Sequence, residues 1–319
     1  MRVVFMGTPE FAVGALEAVH RAFTIVGVYS QPDRASGRGM AMTAPPVKRK
    51  ALELALPVFQ PEKMNLPGEF ERLRALSPDV IVVVAFGQIL KQEVLDLPRY
   101  GCVNIHSSLL PRWRGAAPIQ WAILGGDAES GVTTMKLVQK LDAGSILMQA
   151  KTPLQADETA GSLHDRLARM GAELIVPTLH GLADGSLKGR EQDEALVTYA
   201  SKLTKEMEWL NPQEKAVLLD RRVRALNPWP GTSVWVNAGG WTRLKIKRAK
   251  LWSGVSGPVG KIFDRAGMPC LATSEGALEI QLCQWDGKKE VDSAGFLNGL
   301  QGRALSLPLD AMAERPAEC

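Results

Sequence analysis

The sequence predicts an α/β protein in two parts: an amino-terminal doubly wound, mostly parallel sheet, followed by a small antiparallel β-barrel. Three observations carry this. Short runs of Val and Ile alternate with amphipathic stretches through the first half. After residue 230 the pattern changes to short strands separated by glycine-containing turns. The formal net charge of +4 also divides unevenly: residues 1–200 carry 21 Lys+Arg against 21 Asp+Glu, and residues 201–319 carry 17 against 13.

The chain opens on Arg2–Met6, an apolar run too short for a signal peptide, which reads as a buried strand that begins at once. Thr24–Ser30, Asp79–Phe86 and Gly101–His106 are continuous apolar runs of the kind expected for strands covered on both faces. Phe11–His20, Val47–Ala55 and Glu69–Leu76 read as the helices between them, giving a βαβ rhythm. Gly131–Val138 and Ser145–Pro153 lie close enough in sequence to pair antiparallel at a sheet edge. A long helix over Thr159–Leu182 closes a first domain, residues 1–185. Residues 186–207 are polar with few periodic apolar positions and are expected to be a linker. In the second domain, 208–319, Asn211 is placed to cap a helix over Pro212–Arg222. Asn227-Pro228-Trp229-Pro230-Gly231 cannot be helical. Ser233–Asn237, Trp241–Lys250, Pro258–Phe263, Pro269–Thr273 and Leu278–Gln284 then suggest a barrel of oligonucleotide-binding type.

Composition narrows the function classes. Hydrophobic residues at 45% and charged residues at 23% are ordinary for a soluble globular chain, so a cytoplasmic protein is expected. No apolar run approaches the roughly 20 residues that span a bilayer, so no membrane partner is expected. The four cysteines, Cys102, Cys270, Cys283 and Cys319, show neither a disulfide framework nor metal-ligand spacing, so no metal is expected. The first strand leads into Gly7-Thr8-Pro9-Glu10, a turn with a single glycine. Without a G-x-G-x-x-G cradle, a nicotinamide oxidoreductase is disfavoured.

The densest chemistry lies in Asn104-Ile105-His106-Ser107-Ser108-Leu109-Leu110-Pro111. Asn104 and His106 are two residues apart at the end of a predicted strand, so their side chains share a face. Ligands of open α/β sheets bind beyond the carboxyl ends of the strands. An amide and an imidazole there could act on one substrate atom; on residues alone, a structural histidine remains the competing reading. Leu141-Asp142-Ala143-Gly144 reads as a turn. Its carboxylate becomes chemically interesting only if the fold brings it to His106.

The run NIHSSLLPRWRGAAPIQWAILGGD, followed by G-x-T-x-M and L-D-A-G, resembles the signature of the folate-dependent formyltransferases. Phe86, Gly87, Gln88, Ile89 and Leu90 resemble that family's folate-pocket segment, which Ser108, Leu109, Leu110 and Pro111 would complete. The likeness continues in MGTPEFA, QPDR…GRG, PVK, VFQPEK and NPWPG, so it covers essentially the whole chain. It implies 10-formyltetrahydrofolate as donor and the α-amine of initiator methionyl-tRNA as acceptor, with tetrahydrofolate as product. It further implies that Asn104 and His106 stabilise the tetrahedral oxyanion, while Asp142 orients or charges His106 and helps route the proton. Related enzymes that formylate glycinamide ribonucleotide or an amino sugar are the alternatives, with a non-catalytic tRNA-binding protein as the third. A monomer is expected.

Between 211 and 250 nine basic residues face only Glu214 and Asp220. Within that stretch Arg243, Lys245 and Lys247 alternate with Leu244 and Ile246, which places the three cations on one strand face, suited to a phosphate backbone. A solvated outer face would show the same alternation. By resemblance the long Gln31–Lys50 connection contacts the tRNA acceptor end through Arg38. Met40-Ala41-Met42 stand where related loops often carry lysines, which implies fewer phosphate contacts from this loop.

Overall fold

The structure is a computed structural model that describes residues 1–36, 41–301 and 307–314. Arg38 lies outside these residues. The chain divides into two compact units, one formed by Met1–Pro118, Glu129–Pro153 and Leu163–Ser201, the other by Ile119–Ala128, Leu154–Ser162 and Lys202–Cys319.

In the first unit β1 (Arg2–Gly7), α1 (Val13–Ala22), β2 (Thr24–Tyr29), α2 (Pro46–Glu53), β3 (Val58–Phe59), α3 (Glu69–Ala75), β4 (Val80–Val84) and β5 (Cys102–His106) form the alternating part. β6 (Glu129–Lys136), β7 (Ile146–Pro153) and the long helix α5 (Ala160–Ala183) follow; α4 (Pro118–Gly125), which precedes β6 in the chain, falls in the second unit from Ile119 onward. The sheet order is β7-β6-β5-β4-β1-β2-β3. The five strands from β5 to β3 run parallel; β6 pairs antiparallel with β5, and β7 pairs antiparallel with β6. The reason is visible in β4: all five of its residues, Val-Ile-Val-Val-Val, are buried, as a strand covered on both faces requires. Strand order reverses between β1 and β4, the place where such sheets open a crevice. Thr8, just after β1, donates its hydroxyl to the Phe86 carbonyl just after β4, at 3.0 Å. The loops leaving β4 and β5 emerge side by side, because these strands are neighbours in parallel register with Val83 opposite Asn104.

The second unit is a closed barrel of β8 (Thr232–Asn237), β9 (Trp241–Trp252), β10 (Lys261–Arg265), β11 (Met268–Ala272), β12 (Ala277–Trp285) and β13 (Leu309–Met312), with α6 (Ala216–Ala225) and α7 (Ser293–Gln301). Six antiparallel strands close it through β9–β12 pairing, one more than the five expected. The sixth, Leu309-Asp310-Ala311-Met312, alternates over only four residues, too short a pattern to stand out. Helix α7 was equally inconspicuous because it carries Gly295 and Gly299, which are poor helix formers; it still buries Phe296 against the barrel core. Asn211 does not cap α6. Its side-chain oxygen accepts from the Gln213 amide at 3.1 Å, forming a local turn, and the helix starts at Ala216.

Among the described residues no helix is long and apolar enough to cross a membrane. Nor does any group of three or more His, Cys, Asp or Glu side chains converge as a metal site.

Candidate active site

β5 carries Asn104 and His106 to the carboxyl edge of the parallel strands, both buried. Ile105 between them points to the opposite face, as the strand period requires. The Asn104 side chain has no protein hydrogen-bond partner among the described residues, while its backbone is paired in the sheet. A carboxamide held in a buried strand without a partner is chemically available to a ligand.

His106 is oriented from two sides. Its Nε2 lies 2.9 Å from the Trp113 carbonyl, which can only accept, so Nε2 carries a proton in this arrangement. Its Nδ1 faces Asp142 Oδ2 at 3.8 Å, within ion-pair range but longer than a direct hydrogen bond. The structure thus brings together a pair that are far apart in sequence. The same Oδ2 accepts the Gly115 amide at 2.8 Å. Asp142 adopts a left-handed backbone with φ of 45°, unusual for a residue with a side chain, and the turn around it holds that conformation. Gly144 completes the turn because nothing larger fits: a Cβ there would stand 1.8 Å from the Lys136 carbonyl oxygen.

The proposed folate-pocket residues divide by environment. Phe86 and Leu90 are buried in a core cluster with Val4, Met6 and Val94, and Leu110 packs with Met135 and Ile146. Ile89 instead presents its side chain outward at 92% exposure. Gly87 has φ of 82°, a conformation that glycine alone adopts without strain. The Gln88 amide is bound back to the Pro61 carbonyl (2.9 Å) and accepts from the Met64 amide (2.7 Å), so it shapes the loop. In the other loop Ser108 Oγ donates to the Arg112 carbonyl at 2.6 Å. Leu109 and Pro111 are half-buried. The apolar Ile89 and the loop backbones are therefore the parts free to meet a flat heterocycle, with Phe86 and Leu110 acting beneath them.

Two positions in the G-x-T-x-M motif gain a function that sequence reading did not assign. Thr133, opposite His106 in the β5–β6 register, donates to the Ser108 carbonyl at 2.7 Å and accepts from the Leu110 amide at 3.2 Å. Gln149 on β7 donates to the Leu110 carbonyl at 2.9 Å and to Thr133 Oγ1 at 3.0 Å. Together they hold the loop beyond Asn104 and His106. Gly131 lets β6 and β7 approach, since a Cβ there would lie 2.2 Å from the Ala150 carbonyl oxygen. The motif itself was the available signal.

In the second unit Arg243, Lys245 and Lys247 lie on the outer face of β9, with Leu244 and Ile246 in the core. The three cations line a cleft of 190 Å³ with Asn227, Ser233 and Gln284. Two are paired. Arg243 meets Glu208 at 2.7 Å and Lys247 forms an ion pair with Glu290. Lys245 forms no ion pair among the described residues. Elsewhere in 211–250, Lys215, Arg222 and Arg224 are held by Glu275, Glu214 and Asp220. Nine cations against two carboxylates leave an excess of seven in that stretch, and three of these meet carboxylates from outside it, Glu208, Glu275 and Glu290.

A mostly parallel α/β sheet with Asn104, His106 and Asp142 gathered at its carboxyl edge, followed by a barrel domain, defines a formyltransferase. Residues 1–179 match the Formyl transferase family and residues 202–301 match Formyl transferase, C-terminal domain. The chain belongs to the methionyl-tRNA formyltransferase family. It is 48% identical over 307 residues to the methionyl-tRNA formyltransferase of Halorhodospira halophila, covering 93% of this chain and 96% of that one. It is also 48% identical over 309 residues to that of Methylococcus capsulatus, covering 96% and 99%. Among solved structures, HypX from Aquifex aeolicus in complex with tetrahydrofolic acid shares the fold at a TM-score of 0.61 and 19% identity, covering 94% of this chain and 47% of that one. An N-formyltransferase from Helicobacter canadensis, in complex with folinic acid and dTDP-3-aminofucose, does so at 0.63 and 16%, covering 87% and 98%.

Proposed function

We propose that this chain transfers the formyl group of 10-formyltetrahydrofolate to the α-amine of initiator methionyl-tRNA, in the cytoplasm and as a monomer. The observation that carries the chemistry is the set of three groups at the end of β5: an unengaged Asn104 amide, the His106 ring, and Asp142 behind it. The amine nitrogen attacks the formyl carbon, and the carbonyl oxygen becomes an oxyanion that the Asn104 N–H groups are placed to receive. The carbon–nitrogen bond to folate N10 then breaks. The amine gives up a proton and N10 gains one, a transfer suited to His106. In the described arrangement its Nε2 proton is held by the Trp113 carbonyl, so donation to a substrate requires that bond to exchange. Asp142 keeps the ring in register. Folate is assigned to the loops at 86–90 and 108–111, where Ile89 offers an exposed apolar surface.

The barrel cleft with Arg243, Lys245 and Lys247 is assigned to tRNA phosphates, and Lys245 is the cation most available there. Arg38 is assigned to the acceptor end by resemblance. One assay tests the whole reading: supply labelled 10-formyltetrahydrofolate with charged initiator tRNA, glycinamide ribonucleotide and an amino sugar nucleotide in turn. Label entering only the aminoacyl-tRNA is the expected result. Label in either small acceptor, or in none, overturns the assignment. Sedimentation at working concentration tests the monomer.

A further inference from the structure

Among the described residues the largest fully buried side chain is a cation, Arg114, at 0% exposure. A buried guanidinium is costly unless its donors are met; Nη1 has no hydrogen-bond partner among the described residues, and the partners of Nε and Nη2 indicate what the side chain is for. Nε and Nη2 both donate to Gln192 Oε1, at 3.0 and 2.9 Å. Nη2 also donates to Glu194 Oε1 at 2.9 Å. Glu194 in turn receives Lys140 Nζ at 2.8 Å, and the hydrogen bonds from Lys140 and Arg114 hold its carboxyl below the usual carboxylate range.

The other end of Gln192 reaches the turn that carries Asp142. Its Nε2 donates to the Asp142 carbonyl at 2.7 Å and to the Gly144 carbonyl at 2.8 Å. The amide therefore uses both oxygen lone pairs on Arg114 and both N–H groups on the turn, its full hydrogen-bonding capacity. No other side chain of similar size can do both: Glu lacks the donors, and Met lacks donors and a strong acceptor. The segment is anchored further along. Tyr199–Ala200 pairs with Arg114–Gly115, and Thr198 Oγ1 accepts the Trp113 amide at 2.9 Å. It is thus paired with the same short stretch whose backbone touches the site, where the Trp113 carbonyl meets His106 and the Gly115 amide meets Asp142.

We infer that Gln192, aligned by Arg114, is a positioning residue that sets the Asp142 carboxylate against His106. This rests on the reading of Asp142 as part of the catalytic set. Asp142 sits in a left-handed conformation that a non-glycine residue adopts only when its surroundings impose it. Two hydrogen bonds from one amide, to the carbonyl of Asp142 and to that of Gly144 two residues on, supply that constraint.

The test is a double-mutant cycle between Gln192→Ala and Asp142→Asn, read by single-turnover formylation at saturating substrates, with KM values and thermal melting alongside. Displacing a catalytic group by about 1 Å costs up to about a hundredfold, so Gln192→Ala is expected to slow turnover by about ten- to a hundredfold with KM little changed. On the Asp142→Asn background it should add no further loss. Gln192→Glu is the second variant: it keeps the acceptor for Arg114 and removes the donors to the turn, so it should lose rate while the chain still melts cooperatively. Equal fractional losses in both backgrounds, or wild-type turnover in Gln192→Ala and Gln192→Glu, overturn the inference. Wild-type turnover in Asp142→Asn alone is a separate result: it removes the catalytic reading of Asp142, and the inference falls with it.

Discussion

Gly144→Ala is the most direct perturbation of the turn that presents Asp142. The added Cβ would stand 1.8 Å from the Lys136 carbonyl oxygen and 2.8 Å from its carbonyl carbon. Both are backbone atoms, so no side-chain rotation relieves the contact. Real Cβ atoms stay beyond 3.0 Å, so the turn must move about 1.2 Å from the end of β6. Asp142 lies two residues away, and its carboxylate depends on a 2.8 Å bond from the Gly115 amide. A displacement of this size is worth about a hundredfold in rate when it falls on a catalytic group. Overpacking of this kind costs about 1–3 kcal/mol of stability. Single-turnover formylation with saturating 10-formyltetrahydrofolate and methionyl-tRNA measures the first effect, and thermal melting followed by circular dichroism measures the second. Gly254→Ala is the control, because its Cβ would meet nothing within 4 Å. A Gly144→Ala enzyme with wild-type turnover would show that the position of this turn does not matter to the chemistry.

His106→Ala should lower formyl transfer by at least about a hundredfold, the usual cost of losing an oxyanion donor or acid, and single-turnover rates near wild type would exclude that function. Asn104→Ala should behave similarly with little change in melting temperature, since its amide forms no described protein hydrogen bond to lose. Replacing Arg243, Lys245 and Lys247 together with Ala should raise the KM for tRNA and flatten the dependence of affinity on salt, leaving folate affinity unchanged. Because Arg243 and Lys247 are already paired with Glu208 and Glu290, Lys245→Ala alone should account for much of the effect; a triple variant with the wild-type salt slope would reduce the cleft to a solvated face. Burial pushes the Cys102 and Cys283 thiols up to about 12 and the Cys270 thiol to about 11. A thiol raised on folding stabilises the fold fully below its ordinary value of 9.0 and loses that contribution as pH climbs toward the folded value, so melting temperature should fall from pH 9 upward. All three should also resist an aromatic disulfide reagent at pH 8 in the native protein and react in denaturant; rapid native labelling of any of them would contradict their burial.

The first sheet was largely legible because its signals are local. Runs such as Val80–Val84 carry their own burial on both faces, and the helices between them repeat at helical spacing. The edge pair β6–β7 was legible from a short connection. Boundaries moved where capping competed with periodicity, as at Asn211, whose side chain closes a turn before the helix begins. The sixth barrel strand and α7 were missed because four alternating residues and a glycine-bearing helix stand little above their surroundings.

The candidate site divides in the same way. That Asn104 and His106 share a face, and that Arg243, Lys245 and Lys247 oppose Leu244 and Ile246, follows from the two-residue period of a strand and needs nothing beyond consecutive residues. That Asp142 lies 3.8 Å from His106 depends on β6 pairing antiparallel with β5, which returns the chain to the same sheet edge. The hydrogen-bonded chain from Arg114 through Gln192 to Asp142 joins three segments, and the ion pairs of Arg243 and Lys247 bring in carboxylates 35 and 43 residues distant. Periodicity within a segment is written in the order of its own residues, so sequence alone determined the strongly patterned elements and their faces, and not the weakly patterned sixth barrel strand or α7. Distances between segments depend on how every intervening element packs, so only the tertiary structure decided which charges are neutralised and which groups meet at the end of β5.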